Sequence, residues 1–207
     1  GNSSSNQTIG HSLGLVPKMI IVKKLGQTSD WAVYHTGLTS AAYRIKLNST
    51  DAELTSNNPW NSTDPTSSVF TVKSDAGNVN TNGQEHIAYC FAEVEGFSKF
   101  GSYTGNGSAD GPIVETGFEP AFIMFKRTDS TGDWRILDNK RSQTNPRNEV
   151  LKPNSSEAEE SDSPSLKVDF LSNDFQLKST HSAGNTNNAT YIYMAFAADP
   201  DTEAPTV

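Results

Sequence analysis

"EPAFIMFKRTDSTGDW" occupies residues 119–134, and "VPKMIIVKKLGQTSDW" occupies residues 16–31. The two stretches are one pattern written twice. Gly14, Pro17, Ile20, Lys23, Thr28, Asp30 and Trp31 match Gly117, Pro120, Ile123, Lys126, Thr131, Asp133 and Trp134 at a constant offset of 103 residues. The likeness continues with small shifts. "LNSTDAE" (47–53) parallels "PNSSEAE" (153–159), "VFTVKS" (69–74) parallels "DFQLKS" (174–179), and "IAYCFAE" (87–93) parallels "IYMAFAA" (192–198). Even the starts agree, "GNSSSN" at residue 1 and "GNGSAD" at residue 105. A period near 100 residues is too long for a solenoid repeat and suits a duplicated domain.

Each copy reads as β-structure. "MIIVKK" and "FIMFKR" are short apolar runs ending in paired cations, as buried strands that reach solvent do. A turn-rich stretch follows each, "LGQTSD" and "TDSTGD", and then "WAVYH" and "WRILD", which makes two hairpins. Pro17 and Pro120 stand where a first strand residue needs no N–H. In "YRIKL" the side chains of Tyr43, Ile45 and Leu47 alternate with Arg44 and Lys46, predicting a strand with one wet face. "VFTV" and "FQLK" follow, then the closing strands "HIAYCFAEV" and "TYIYMAFAA". No helix is expected. The fold expected is all-β: two tandem homologous β-sandwich or jelly-roll-like units related by pseudo-symmetry. Their ranges are residues 1–98 and 99–200, with the boundary in the Gly/Ser-rich stretch 95–107, and 201–207 as a linker to a following segment. Strands exchanged between halves, giving one pseudo-symmetric sandwich, is the alternative that the sequence leaves open.

Composition narrows the function. Of 207 residues, 34% are apolar and 19% charged, and Ser, Thr, Asn and Gly make up much of the rest. A net charge of −8 disfavours nucleic acid and anionic membrane surfaces as partners. No apolar run is long enough to span a bilayer, so no membrane insertion is expected. The single cysteine, Cys90, excludes an internal disulfide framework and a cysteine-based zinc site. It lies in an apolar strand and reads as a small buried hydrophobe. The first residue is Gly and the tail "DPDTEAPTV" reads as an interdomain linker, so the chain is expected to be a piece of something longer.

The phrases "GLVPKMIIVKK", "DWAVYH", "WNSTDPTSSVFTV", "AYCFAEVEGFSKFGSYTGNGSADGP" and "TGFEPAFIMFKRTD" resemble a repeat of tailed-bacteriophage virion proteins. It is common in the large tail- or fibre-associated polypeptides of marine phages. The resemblance runs from about residue 8 to residue 200. It implies a structural or adhesive module of a virion appendage, located on a virion or an extracellular surface. Its partners would be a host cell-surface glycan or other virion proteins, with a homo-oligomer as a further expectation. It implies no catalytic residue. "DTEAPTV" also resembles linkers of secreted multidomain bacterial proteins. The alternative reading is therefore a carbohydrate-binding module of such a protein or enzyme.

Candidate chemistry is sparse. The four histidines, His11, His35, His86 and His181, sit in no triad signature, and no nucleophile-elbow motif is present. No catalytic residue is assigned. Glu93 and Glu95 flank Val94 and would share one strand face, a carboxylate pair to weigh for glycoside hydrolysis. The acidic run "SSEAEESD" (155–162) reads as a solvated loop. Calcium is the one cofactor the loops suit. Asp129 and Asp133 in "TDSTGDW", and Asp75, Asn78 and Asn80 in "SDAGNVNTNG", offer hard oxygen ligands, although Asp and Asn also favour plain turns. Trp31 and Trp134 occupy equivalent positions and read as hairpin anchors. Trp60 has no counterpart and lies in the polar loop "TSNNPWNSTDP". With Asn58 and Asn61 it is the expected glycan contact, and Tyr103 is a further aromatic candidate. Seven N-x-S/T triplets begin at Asn2, Asn6, Asn48, Asn61, Asn106, Asn154 and Asn188. A phage or bacterial source predicts them mostly unmodified.

Overall fold

The computed structural model describes residues 1–3, 6–56, 58–74, 76–163 and 166–197. The expected linker at 201–207 lies outside them. The chain divides into two compact units, Gly1–Glu93 and Val94–Val207. Both are all-β, with no helix among the described residues and antiparallel pairing throughout.

In the first unit the strands are β1 (Gln7–Gly10), β2 (Pro17–Lys24), β3 (Ala32–His35), β4 (Ile45–Lys46), β5 (Val69–Val72) and β6 (His86–Ala92). One sheet has the order β4-β3-β2-β6, and β1 pairs with β5 in a second. Ile20 and Val22 of β2 meet Phe70 and Val72 of β5 in one core that also holds Tyr34 and Trp60. The period-two pattern of β5 does this work, because only Phe70 and Val72 point inward.

The second unit contains β7 (Ser98–Thr104), β8 (Ile113–Glu115), β9 (Pro120–Arg127), β10 (Arg135–Asp138), β11 (Val168–Phe170), β12 (Asp174–Leu177) and β13 (Thr190–Ala197). Its sheets run β10-β9-β13-β7 and β11-β12-β8. The hairpin, the closing strand beside it and the β8–β12 pair mirror the pairing order β3-β2-β6 and β1–β5 of the first unit. Every described sheet draws its strands from one unit.

The two predicted hairpins form, with Met19 opposite His35 in one and Phe125 opposite Arg135 in the other. Three expectations are corrected. The stretch 95–107 contains the seven-residue strand β7, paired along the whole of β13. Its small residues serve packing. A Cβ on Gly101 would come within 3.0 Å of the Tyr193 ring, and Ser98 is buried. The "YRIKL" segment is a strand only at Ile45–Lys46, and Arg44 is buried, because Arg44 bridges Leu54 and its Nε donates to Ser56 O at 3.1 Å. Glu93 and Glu95 do not share a strand face. β6 ends at Ala92, and the chain turns through Gly96, whose φ is 71°.

Two side-chain clamps occur in both units. The backbone N–H of Trp31 donates to Asn48 Oδ1 at 2.9 Å, and that of Trp134 to Asn154 Oδ1 at 2.7 Å. The amide of each asparagine then reaches the neighbouring Asp30 (3.3 Å) or Asp133 (2.8 Å). Asn80 and Asn185 are fully buried, and their Oδ1 atoms accept from Asn2 N (2.9 Å) and Asn106 N (2.7 Å). Both pin the shared "GN" start of their unit, where a Cβ on Gly1 or Gly105 would collide with backbone. Neither clamp was evident as such in the sequence, because single asparagines in an Asn-rich chain carry no periodic signal.

Candidate functional site

The structure moves the expected aromatic contacts inward. Trp60 is 1% exposed and packs edge-on against Tyr34, ring centroids 6.0 Å apart. It plugs the first unit's core and presents no face to a ligand. Its loop is polar because the loop's own turns need it. Asn58 donates to Ser62 Oγ at 2.7 Å and accepts from Ser62 N at 3.1 Å, and Asn61 adopts φ 53°. Tyr103 is buried too, stacked on Tyr191 at 5.0 Å with its hydroxyl donating to Gly184 O at 3.0 Å. Burial pushes its phenol well above the ordinary value.

The candidate metal ligands Asp129 and Asp133 are held by arginines. Asp129 takes both Nε (2.7 Å) and Nη2 (3.3 Å) of Arg127, and Asp133 takes Arg135 at 3.3 Å beside the Asn154 amide. Asn80 spends its side chain on Asn2 N and Lys73 O, and Asp75 lies outside the described residues. No group of three or more metal-ligating side chains occurs among the described residues. The acidic loop 155–162 is anchored rather than free. Glu157 pairs with Lys152 (2.6 Å), Glu159 with Arg141 (2.7 Å) and Glu160 with Arg135 (3.2 Å).

An aromatic surface does exist, at residues the sequence left as anchors and core. Trp31 is half-buried, unlike Trp134, which is 1% exposed, so the two equivalent tryptophans share a backbone clamp but not an environment. Tyr89 on β6 is 43% exposed and lies within 19° of parallel to the Trp31 ring, centroids 6.5 Å apart. That spacing means an offset pair rather than face-to-face contact. Lys23 Nζ sits over the Trp31 ring at 5.8 Å and is held there by donating to Ser29 O at 2.8 Å. β-Structure explains the grouping. Lys23 and Tyr89 lie on adjacent paired strands, β2 and β6, and Trp31 precedes β3. Leu25 and Ile87 extend the apolar surface, 56% and 37% exposed.

Polar groups border the pair. Lys46 links Asp30 (3.2 Å) and Asp51 (3.0 Å), and the hydrogen bond to Asp51, opposed by partial burial, raises its pKa. The patch thus offers two aromatic rings with an ammonium, two carboxylates and the Asn48 amide close by. Such a surface can hold a ring with one apolar face and a rim of hydroxyls. Among the described residues the second unit shows no equivalent, because the position of Tyr89 is taken by Met194, 5% exposed and opposite Phe100 of β7. A contrast between Tyr89 and Met194, at matched positions of a repeat, was the signal the sequence held.

The chain matches, over residues 1–200, the family described as a domain of unknown function (DUF7483), and it belongs to that family. No curated protein and no solved structure matches it.

Proposed function

We propose that this member of the DUF7483 family is a non-enzymatic adhesive module that binds a cell-surface glycan through Trp31 and Tyr89. The observation that carries the reading is the near-parallel pair of half-buried Trp31 and exposed Tyr89. The hydrophobic face of a pyranose stacks on aromatic rings, and a rim of hydroxyls can accept from a group such as Lys23 and donate to a carboxylate such as Asp30. Core Tyr and Trp rings are ordinary. Tyr89, 43% exposed beside Trp31, joins exposed Ile87 and Leu25 in a contiguous apolar patch of the kind that marks a binding surface. The resemblance to tail- and fibre-associated virion repeats supports a setting in which a host polysaccharide is the ligand. A carbohydrate-binding module in a secreted bacterial polypeptide would use the same patch, and the parent reading frame distinguishes the two settings.

A glycan array with the intact chain tests this. A specific hit should weaken at least tenfold in Trp31→Ala and in Tyr89→Ala, while Ile113→Ala, an exposed apolar position of the second unit, leaves it unchanged. Glycan binding that survives the double variant would place the ligand elsewhere. Turnover of the bound polysaccharide would overturn the non-enzymatic reading.

A further inference from the structure

The end of the first unit where β2 begins and β3 finishes holds a polar cavity of about 410 Å³. Its place follows from the strand period. Ile20 of β2 stands opposite Tyr34 of β3, and both face the core. Two residues further out on the same face come Lys18 and Thr36, joined by a hydrogen bond from Thr36 N to Lys18 O at 2.8 Å. These two, with Tyr34, Ser40 and Asp64, supply the polar lining. Leu38 and Pro65 supply an apolar wall.

The fold does not require this chemistry. The second unit builds the same pairing, with Ile123 opposite Leu137 and Asn139 N donating to Ala121 O at 2.9 Å. There Ala121 and Leu137 take the places of Lys18 and Tyr34. The cation at the position of Leu38, Arg141, is spent on Asp138 (2.6 Å) and Glu159 (2.7 Å). Lys18 is half-buried and has no ion pair among the described residues. The Tyr34 hydroxyl donates to Asp64 Oδ1 at 3.0 Å. Burial, with that carboxylate beside it, raises the phenol's pKa, so its oxygen stays a donor. Asp64 is exposed, and its Oδ2 has no partner among the described residues. Ser40 Oγ accepts from Ala42 N at 3.2 Å, which leaves its proton to give. Glu53 adds no second open carboxylate, because Thr39 donates to it through both its N–H and its hydroxyl.

These groups set the ligand. An ammonium only donates, and a carboxylate is its strongest acceptor. An ionised carboxylate only accepts, and a ligand hydroxyl suits it, while Thr36 and Ser40 both give and take. A cavity of this volume with one apolar wall has room for a sugar ring. We propose that it binds a single uronic acid residue, with the sugar carboxylate on Lys18 and a ring hydroxyl donating to Asp64 Oδ2. A neutral hexose fits the same space and forfeits the Lys18 contact. The site shares no residue with the Trp31–Tyr89 pair and stands whether or not that pair binds glycan.

NMR titration of the intact chain with methyl β-D-glucuronide and methyl β-D-glucoside tests this. One sugar residue should bind with a Kd on the order of 1 mM, too weak to register on an array. The glucuronide should shift the amides of Lys18, Thr36, Ser40 and Asp64. It should bind about tenfold more tightly than the glucoside, the worth of one hydrogen bond to a charged group. Lys18→Met keeps the alkyl stem and should bring the glucuronide down to the affinity of the glucoside, which is itself unchanged. Absence of glucuronide binding, equal binding of the two sugars by the parent chain, or a preference that survives Lys18→Met overturns the proposal. Shifts confined to Lys23, Trp31 and Tyr89 overturn it too, since they put the acid on the aromatic pair.

Discussion

Tryptophan shows how residue identity and residue role separate. Trp31, Trp60 and Trp134 are one residue type, yet two are core and one is surface. Trp60→Ala should cost about 3–5 kcal/mol, the usual range for deleting a buried Trp, so lost glycan binding in that variant would report unfolding. Trp60→Phe should cost less. It keeps most of the ring and removes a buried Nε1–H that has no partner. Urea denaturation of both variants checks the order, and a Phe variant as unstable as the Ala variant would contradict it. At Asp138, burial disfavours the charge, but donation from the backbone N–H of Arg141 and from its guanidinium, at 2.6 Å, wins and lowers the pKa. A depressed folded value stabilises the protein above the ordinary carboxylate range and ceases to do so as pH falls through the folded value. Asp138→Asn should therefore destabilise by about 1–2 kcal/mol at pH 7, with the gap to the parent chain closing toward pH 3. A gap that is independent of pH would show that the charge is not the cause. Burial also raises the Cys90 thiol, so labelling by a disulfide reagent should be slow at pH 7.5 and quicken in urea.

Strands were legible where periodicity was strong. β2, β3, β5, β6, β9, β10, β12 and β13 all fall on runs picked out by apolar pattern and by repetition. β7 was not. Ser98, Gly101 and Ser102 look like linker composition, and only the Tyr193 ring explains why a glycine is needed at 101. Gly101→Val should cost about 1–3 kcal/mol through overpacking and weaken the β7–β13 pairing. Hydrogen exchange on β13 measures this directly, and unchanged protection there would show that the ring yields freely. The short β4 was over-read for the opposite reason. "YRIKL" alternates, but the Arg44 side chain turns inward and donates to Ser56 O, so a cation occupies a position that the alternation assigned to solvent. The aromatic site was missed because exposure depends on whether a neighbouring strand is present, and that is a property of pairing rather than of local sequence.

At the scale of the whole chain, repetition conveyed the pairing order and misled about equivalence. Matched positions such as Trp31 and Trp134, or Tyr89 and Met194, differ in solvent exposure. The apolar cluster around Tyr103 and Phe125 lies in the second unit, whose closing strand is flanked on both sides. Among the described residues the first unit has a cavity, and its closing strand β6 is paired in a sheet with β2 alone. Deuterium uptake should accordingly be faster in β6 than in β13, as expected for the less covered backbone. Equal protection factors would argue against this difference between the units.

The asparagine clamps carry a practical consequence for production hosts. Asn48 and Asn154 each begin an N-x-S/T triplet, and each uses its side-chain nitrogen to hold the aspartate beside the following tryptophan. Oligosaccharyltransferase would attach sugar to that same nitrogen before the chain folds. Secretion from yeast or mammalian cells should therefore yield a glycosylated, misfolded fraction that bacterial cytoplasm does not, and Thr50→Ala together with Ser156→Ala should remove it.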